Sequence, residues 1–241
     1  IDFDDTTSLD EIISLFVDIN QQGVPVSRFD IVKALYRSDP LMQQVFKLIA
    51  IKQKRREDVR YKLIKSDAAF SLQHLDIVRR LTSVSSQVDK MWERLFEFAL
   101  FCRSGLHRKP VEILKEFIRS KKTDTIKLSA VELARLGRVF KFVANGYRGP
   151  ALGKTRLATD QTHFYTMVTS LLTMTKTVKF FEPPLHEKLV RFDSLIKDLG
   201  TTPKALRNDM KAYLSLSAKQ TTDPAKRKER EILFTKIVTA L

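Results

Sequence analysis

A single cysteine, Cys102, stands in 241 residues. That excludes an internal disulfide framework and every cysteine-rich metal knuckle, and it makes a reducing, cytoplasmic setting the expectation. Glycine and proline are scarce as well, at seven and eight, and most of them sit where helices would start or stop. No apolar run approaches the ~18 residues that a membrane span needs. No secretory leader is visible, and the opening Ile1-Asp2-Phe3-Asp4-Asp5, without an initiator Met or a basic stretch, reads as the interior of a longer protein. Sustained period-two alternation is missing too. What is present is a 43% hydrophobic chain rich in Leu, Ile, Val and Phe, which excludes disorder and is long enough to hide ~70–75% of its unfolded surface in a core.

The second imbalance is in sign. Forty-three Lys and Arg face 28 Asp and Glu, a net charge of +15. The first 50 residues hold only four cations (Arg28, Lys33, Arg37, Lys47) against eight anions, and the remainder holds 39 against 20. A front that is acidic and a body that is basic give the body a long-range positive potential, which attracts polyanions with strong salt dependence. The densest run spans residues 52–65, with seven cations and two anions. A second is Lys226-Arg227-Lys228-Glu229-Arg230. Each reads either as a polyanion contact or as a solvated helix face with i,i+4 ion pairs.

The pattern of apolar residues is helical nearly throughout, and the fold class expected is mainly α. It is an irregular bundle of about ten helices, with a short strand remnant conceivable at the N-terminus. Ser8 and Glu11 have capping-box spacing ahead of Leu9, Ile12, Ile13, Phe16 and Val17. Ser27 and Asp30 repeat the arrangement before Ile31, Val32 and Leu35. Asp39-Pro40 starts a third helix that is expected to run through Leu41, Val45, Phe46 and Ile49 into the basic run. Ser66 caps the next, carrying Leu72, Leu75, Val78 and Leu81. Val84 to Cys102 reads as a central core helix closed by Gly105, and Pro110 opens a short one. Ser129 caps a helix expected to stop at Asn145-Gly146. Further helices start near Thr159, Pro184, Thr202-Pro203 and Asp223-Pro224, and Thr173 to Phe181 is rich enough in Thr, Val and Phe for a short strand. The domains expected are 1–50 and 51–241, with a weak boundary conceivable near 150.

Chemical constellations are sparse. His74, His107, His163 and His186 stand apart, and none has a carboxylate or second His three or four positions on, as a helical metal site requires. Gly149-Pro150-Ala151-Leu152-Gly153-Lys154-Thr155 invites a phosphate-loop reading but fails it. Three residues rather than four separate its glycines, and it follows a helix, not a buried strand. Lys154 and Arg156 could still touch phosphate. Cys102 lies on an apolar face with no placed His, so packing explains it better than nucleophilic catalysis. Asp2, Asp4 and Asp5 read as a strand end and a first-turn field, or else as part of a divalent-ion set. No catalytic and no metal-binding residue is assigned.

Residues 6–32 carry a resemblance. Phe16, Ile19, Asn20, Gly23, Ser27 and Asp30 match the spacing Phe-x-x-Ile-Asn-x-x-Gly-x-x-Leu-Ser-x-x-Asp, with Val26 in place of Leu. The segment resembles the helix that follows the ParB/sulfiredoxin-like nuclease fold in the GmrSD-type restriction family. It covers about 30 of 241 residues; elsewhere the likeness is one of kind, a helical tail with an aromatic-rich helix, here His163-Phe164-Tyr165. The residues have physical roles of their own. Gly23 suits φ > 0, and Ser27 caps a helix whose free amide groups could receive phosphate. The loop Asn20, Gln22, Gly23 and Ser27 is therefore the candidate nucleotide- or phosphate-binding loop, with an architectural helix–loop–helix as the other reading. The family's upstream Asp-Gly-Gln-Gln-Arg-type signature has no counterpart, since no Asp-Gly dipeptide occurs in the chain.

Two functions remain open. The resemblance implies the helical, nucleic-acid-contacting part of a phage-defence protein whose catalytic ParB-like domain lies upstream in the same protein. In that family a nucleotide and a divalent metal serve cleavage of DNA. Lys52, Lys54, Arg55, Arg56, Arg60 and Lys62 would then engage DNA phosphates without reading sequence. The other function is a non-catalytic helical module whose basic face meets an acidic protein partner. Neither involves a membrane.

Overall fold

A computed structural model describes residues 29, 33, 36–49, 51–55, 61–109, 112, 127–149, 151–176 and 182–241, with backbone alone at 51–55, 61–65, 182 and 183. The chain is mainly helical. Ten α-helices and one two-stranded sheet occur among the described residues. They are α1 (Pro40–Ile49), β1 (Ile51–Arg55), β2 (Tyr61–Lys65), α2 (Asp67–Leu72), α3 (Asp76–Arg79), α4 (Val84–Ser104), α5 (Ala130–Arg148), α6 (Arg156–Thr159), α7 (Gln161–Met174), α8 (Glu182–Lys197), α9 (Arg207–Ala218) and α10 (Pro224–Ala240). Short 3-10 turns, Leu152–Lys154, Leu199–Thr201 and Lys204–Leu206, join several of them.

Local chemistry sets many of these boundaries. Asp39 Oδ1 accepts from the amides of Leu41 and Met42 at 2.9 and 3.4 Å and so starts α1. Ser66 accepts from the Ala69 amide and Ser83 from the Ser86 amide. Ser129 and Glu132 form a reciprocal capping box at the head of α5. Asp223 caps α10 with Pro224 in its first turn, where the missing N–H costs nothing. Gly105 closes α4 in the left-handed conformation, φ 68°, which a side chain would oppose.

Three expectations are corrected. The third helix does not continue into the basic run. It ends at Ile49, and Ile51–Arg55 pairs antiparallel with Tyr61–Lys65, with Lys54 opposite Lys62 and Lys52 opposite Ile64. Ile51, Tyr61 and Ile64 are residues that favour extended backbone. The helix capped by Ser66 stops after Leu72, and a separate single-turn helix, Asp76–Arg79, carries Val78. The helix from Ser129 passes through Gly146 to Arg148. Gly146 serves a close approach, since a Cβ there would lie 2.6 Å from Leu152 Cδ2 and 2.9 Å from the His186 ring. Residues 173–176 complete α7 and its closing turn. The first helix, the candidate N-terminal strand, the Pro110 helix and residues 177–181 lie outside the described residues.

One core cluster runs from Phe29 to Val238. α4 crosses its middle. Phe98 packs its ring 5.9 Å from Phe140 of α5, 5.9 Å from Phe164 and 5.5 Å from Tyr165 of α7. A second aromatic focus joins Phe192 of α8 to Tyr213 of α9 at 5.1 Å and to Phe234 of α10 at 4.6 Å. Phe29 lies 6.0 Å from Phe96 and Lys33 pairs with Asp89 at 2.6 Å, so both engage α4.

Candidate functional site

Between α4, α7, α10 and the connector 105–109 lies a buried ionic cluster. Its residues reach the interior because the apolar stripe of each helix carries them. On α10 the spacing Arg227, Arg230, Glu231, Phe234, Ile237 and Val238 is that of one helix face, and all six are buried. Arg94 and Glu97 likewise share the inward face of α4 with Met91, Leu95 and Phe98.

Glu97 binds two guanidinium groups. Its Oε2 is 2.9 Å from Arg94 Nη1 and its Oε1 is 2.6 Å from Arg227 Nη1. Arg227 also donates to the Arg108 carbonyl at 2.8 Å and lies 3.9 Å above the Tyr165 ring, a cation–π contact. With its amide oxygen turned toward Arg94, Gln161 accepts from Nη1 and Nη2, each at 2.9 Å. Glu231 Oε2 is 2.7 Å from His107 Nε2, and Glu231 Oε1 accepts from Thr173 Oγ1 at 2.6 Å. The other His107 nitrogen, Nδ1, is 3.1 Å from the Tyr165 hydroxyl. A carboxylate can only accept, so Nε2 carries a proton toward Glu231. Burial pushes the Tyr165 phenol well above its ordinary range, which leaves it a neutral hydroxyl.

A neighbouring set surrounds Arg230, whose side chain is wholly buried without a carboxylate bonded to it. Its Nε donates to Thr166 Oγ1 at 3.3 Å, Nη1 to the Leu216 carbonyl at 3.0 Å and Nη2 to the Thr221 carbonyl at 2.6 Å. Burial presses its pKa down, while the end of α9 supplies carbonyl dipoles that favour the charge. Close by, His163 Nδ1 is 2.8 Å from the Tyr213 hydroxyl. Burial lowers the His163 pKa and raises that of Tyr213.

A Glu–His–Tyr chain can relay a proton in principle, but it needs somewhere for a substrate to sit. The cavity beside it, lined by Glu97, Leu100, Phe101, Leu106, Arg108 and Tyr165, measures about 10 Å³, room for one water at most. A larger cleft of about 390 Å³ lies between α3 and the start of α7. Its carboxylates are spent: Asp76 pairs with Arg79, and Asp160 accepts from the amides of Thr162 and His163 at 2.7 and 3.1 Å. The cluster therefore acts as a clamp that pins the connector and α10 onto α4 and α7. Among the described residues no group of three His, Cys, Asp or Glu could hold a metal ion, and no helix is long and apolar enough to cross a membrane.

Of the site residues named from sequence, Lys52, Lys54 and Arg55 fall on β1 and Lys62 on β2. Asn20, Gln22, Gly23, Ser27, Arg56 and Arg60 lie outside the described residues. The second basic run is not wholly a solvated face: Arg227 and Arg230 are 3% and 0% exposed. The signal was present in their spacing to Phe234 and Val238, although the partner Glu97 was not legible locally.

No family model matches the chain, and neither a curated protein nor a solved structure matches it. The description as a ParB-like, DNA-binding nuclease of an antiviral restriction system is accordingly corrected. No family model supports it, and the described residues assemble neither a metal-holding cluster nor a substrate-sized catalytic centre.

Proposed function

We propose that the chain is a non-catalytic helical interaction module whose basic surface engages an acidic protein partner. The observation that carries this reading is where the charges sit. Among the described buried groups three arginines, Arg94, Arg227 and Arg230, face four carboxylates, Asp39, Glu97, Asp193 and Glu231. Among the described residues burial thus withdraws no net positive charge from the surface, in a chain whose excess is +15. Each of those carboxylates is taken up internally. Asp193, for example, holds Lys197 at 2.6 Å and the Arg156 amide at 2.7 Å, so the interior offers no spare anion to the surface. A surface so biased steers oppositely charged partners and loses them in salt. The lone, buried thiol of Cys102, raised in pKa chiefly by burial, suits a reducing cytoplasmic setting for such a module.

The test is retention of the full chain on immobilised poly-glutamate at physiological ionic strength, with duplex DNA as the parallel column. Retention on poly-glutamate, lost as salt is raised, is the expected outcome. Retention on DNA with none on poly-glutamate overturns the acidic-protein reading in favour of a nucleic acid.

A further inference from the structure

We infer that the outer edge of β1 takes an acidic, extended segment of the partner protein as a third strand, its carboxylates lying on the sheet face that carries Lys52, Lys54 and Lys62. This rests on the acidic-partner reading above and says where, and in what backbone conformation, the contact is made. Among the described residues β1 and β2 form a two-stranded sheet, and neither pairs with another described strand. Each strand of such a sheet keeps one edge whose N–H and C=O groups the sheet itself does not pair, a template for another chain. Two strands alone are also marginally stable, and a third adds to them.

The register decides which residues share a face. Residues directly opposite each other in an antiparallel pair lie on one face, and so do alternate residues along a strand. Lys54 is opposite Lys62 and Lys52 is opposite Ile64, so Lys52, Lys54, Lys62 and Ile64 make up one face. Arg55, opposite Tyr61, and Lys65, opposite Ile51, belong to the other. The two strands, Ile51-Lys52-Gln53-Lys54-Arg55 and Tyr61-Lys62-Leu63-Ile64-Lys65, hold five cations and no anion. Like charges directly opposite each other destabilise a ladder. The Lys54–Lys62 register therefore costs free energy in the strand pair alone, and negative charge laid beside it on the same face relieves that cost.

Two of the three lysines of that face, Lys52 and Lys54, belong to β1, which selects its edge over that of β2. They stand two residues apart, the interval at which an added strand presents side chains to one face. Lysines on an edge strand discourage apolar strands and second copies of the same strand, while a segment with carboxylates at alternate positions is admitted, so the same residues attract one partner and repel others. A nucleic acid could neutralise these lysines, but its phosphate backbone has no row of amides and carbonyls to complete a ladder. A polypeptide supplies both, with main-chain hydrogen bonds giving affinity and the positions beside Lys52 and Lys54 giving specificity.

The experiment titrates the full chain into a fluorescein-labelled peptide of alternating glutamate and valine, read by anisotropy, beside the same peptide N-methylated at every amide. The methylated peptide keeps its charge but cannot donate to an edge, and is expected to bind about tenfold or more weakly. Lys52→Glu/Lys54→Glu is expected to weaken binding of the unmethylated peptide about tenfold or more, and the neutral Lys52→Gln/Lys54→Gln about fivefold. Arg55→Glu/Lys65→Glu changes the net charge as much as the first variant but on the other face, and should weaken binding less than about threefold. Equal binding of the two peptides overturns strand addition, and equal losses in the two charge-reversed variants overturn the choice of face. Unchanged binding in Lys52→Gln/Lys54→Gln overturns the site without reliance on charge reversal. If the parent chain is retained on poly-glutamate but does not bind the alternating peptide, the acidic-partner reading stands and this site falls. If it binds neither, both readings fall.

Discussion

Glu97 of α4 and Arg227 of α10, 130 residues apart in the chain, meet in the core through a 2.6 Å ion pair. Arg94 completes the set from one turn before Glu97. The contact is long-range, buried and asymmetric, because one carboxylate serves two guanidinium groups.

That asymmetry predicts unequal losses. Glu97→Gln leaves Arg94 and Arg227 facing each other without a counter-charge and should cost about 3–5 kcal/mol. Arg227→Met leaves Glu97 paired with Arg94 and should cost less, with methionine filling part of the vacated volume. Urea unfolding of both variants and the double variant measures this. A larger loss for Arg227→Met than for Glu97→Gln would show that the cluster does not centre on Glu97.

The contrast between what was legible in the sequence and what was not follows from the range of the interactions. Ser66, Ser129 and Asp223-Pro224 announce helix starts because a cap and its amide partners lie within four residues, and the structure places helices at all three. The pairing of Ile51–Arg55 with Tyr61–Lys65 was missed because Ile51-Lys52-Gln53-Lys54-Arg55 lacks apolar alternation, so a local reading has no period-two signal to find there. Arg227 and Arg230 looked like surface charge because their burial depends on Glu97, Thr166, Leu216 and Thr221, which a local window around 226–230 does not contain. The clamp formed by His107, Tyr165 and Glu231 joins three distant segments and had no local signature at all.

Stability should fall on mild acidification through His163. Burial holds its pKa below the ordinary histidine value, and Asp160, Arg156, Arg230 and Asp193 surround it. The folded state therefore takes up a proton less readily than the unfolded chain. This contribution is fully present above the unfolded value of about 6.5 and is lost as pH falls from there through the lowered folded value. Melting curves between about pH 7.5 and 5.5 should show a drop in the parent that is smaller in His163→Gln. An equal drop in the two proteins would assign the acid sensitivity to other groups.

The capping box of α5 gives a third expectation. Ser129 Oγ accepts from the Glu132 amide at 3.2 Å, and Glu132 Oε2 accepts from the Ser129 amide at 2.8 Å. The Ser129 hydroxyl also donates to Glu132 Oε2 at 2.9 Å, so Ser129→Ala removes both hydroxyl bonds, leaves the one from the Ser129 amide, and should cost about 1 kcal/mol in chemical unfolding. A change near zero would mean that water replaces the serine hydroxyl without loss.

Two glycines of α5 should respond with opposite sign to the same substitution. Gly137 has nothing within 4 Å of where a Cβ would stand, so Gly137→Ala gains helix propensity alone and should stabilise by about 0.5–1 kcal/mol. Gly146 is buried, and its Cβ would press on Leu152 Cδ2 at 2.6 Å and on His186 Cδ2 and Nε2 at 2.9 Å. His186 has little room to yield, since its Nε2 lies 3.0 Å from the Phe142 carbonyl oxygen and its ring stacks 4.2 Å from Phe142. Overpacking of this kind costs about 1–3 kcal/mol, which exceeds the propensity gain, so Gly146→Ala should lower the melting temperature while Gly137→Ala raises it. A shift of the same sign in both would mean that α8 can slide away from α5, and that Gly146 is a packing convenience instead of the contact that sets how closely the two helices approach.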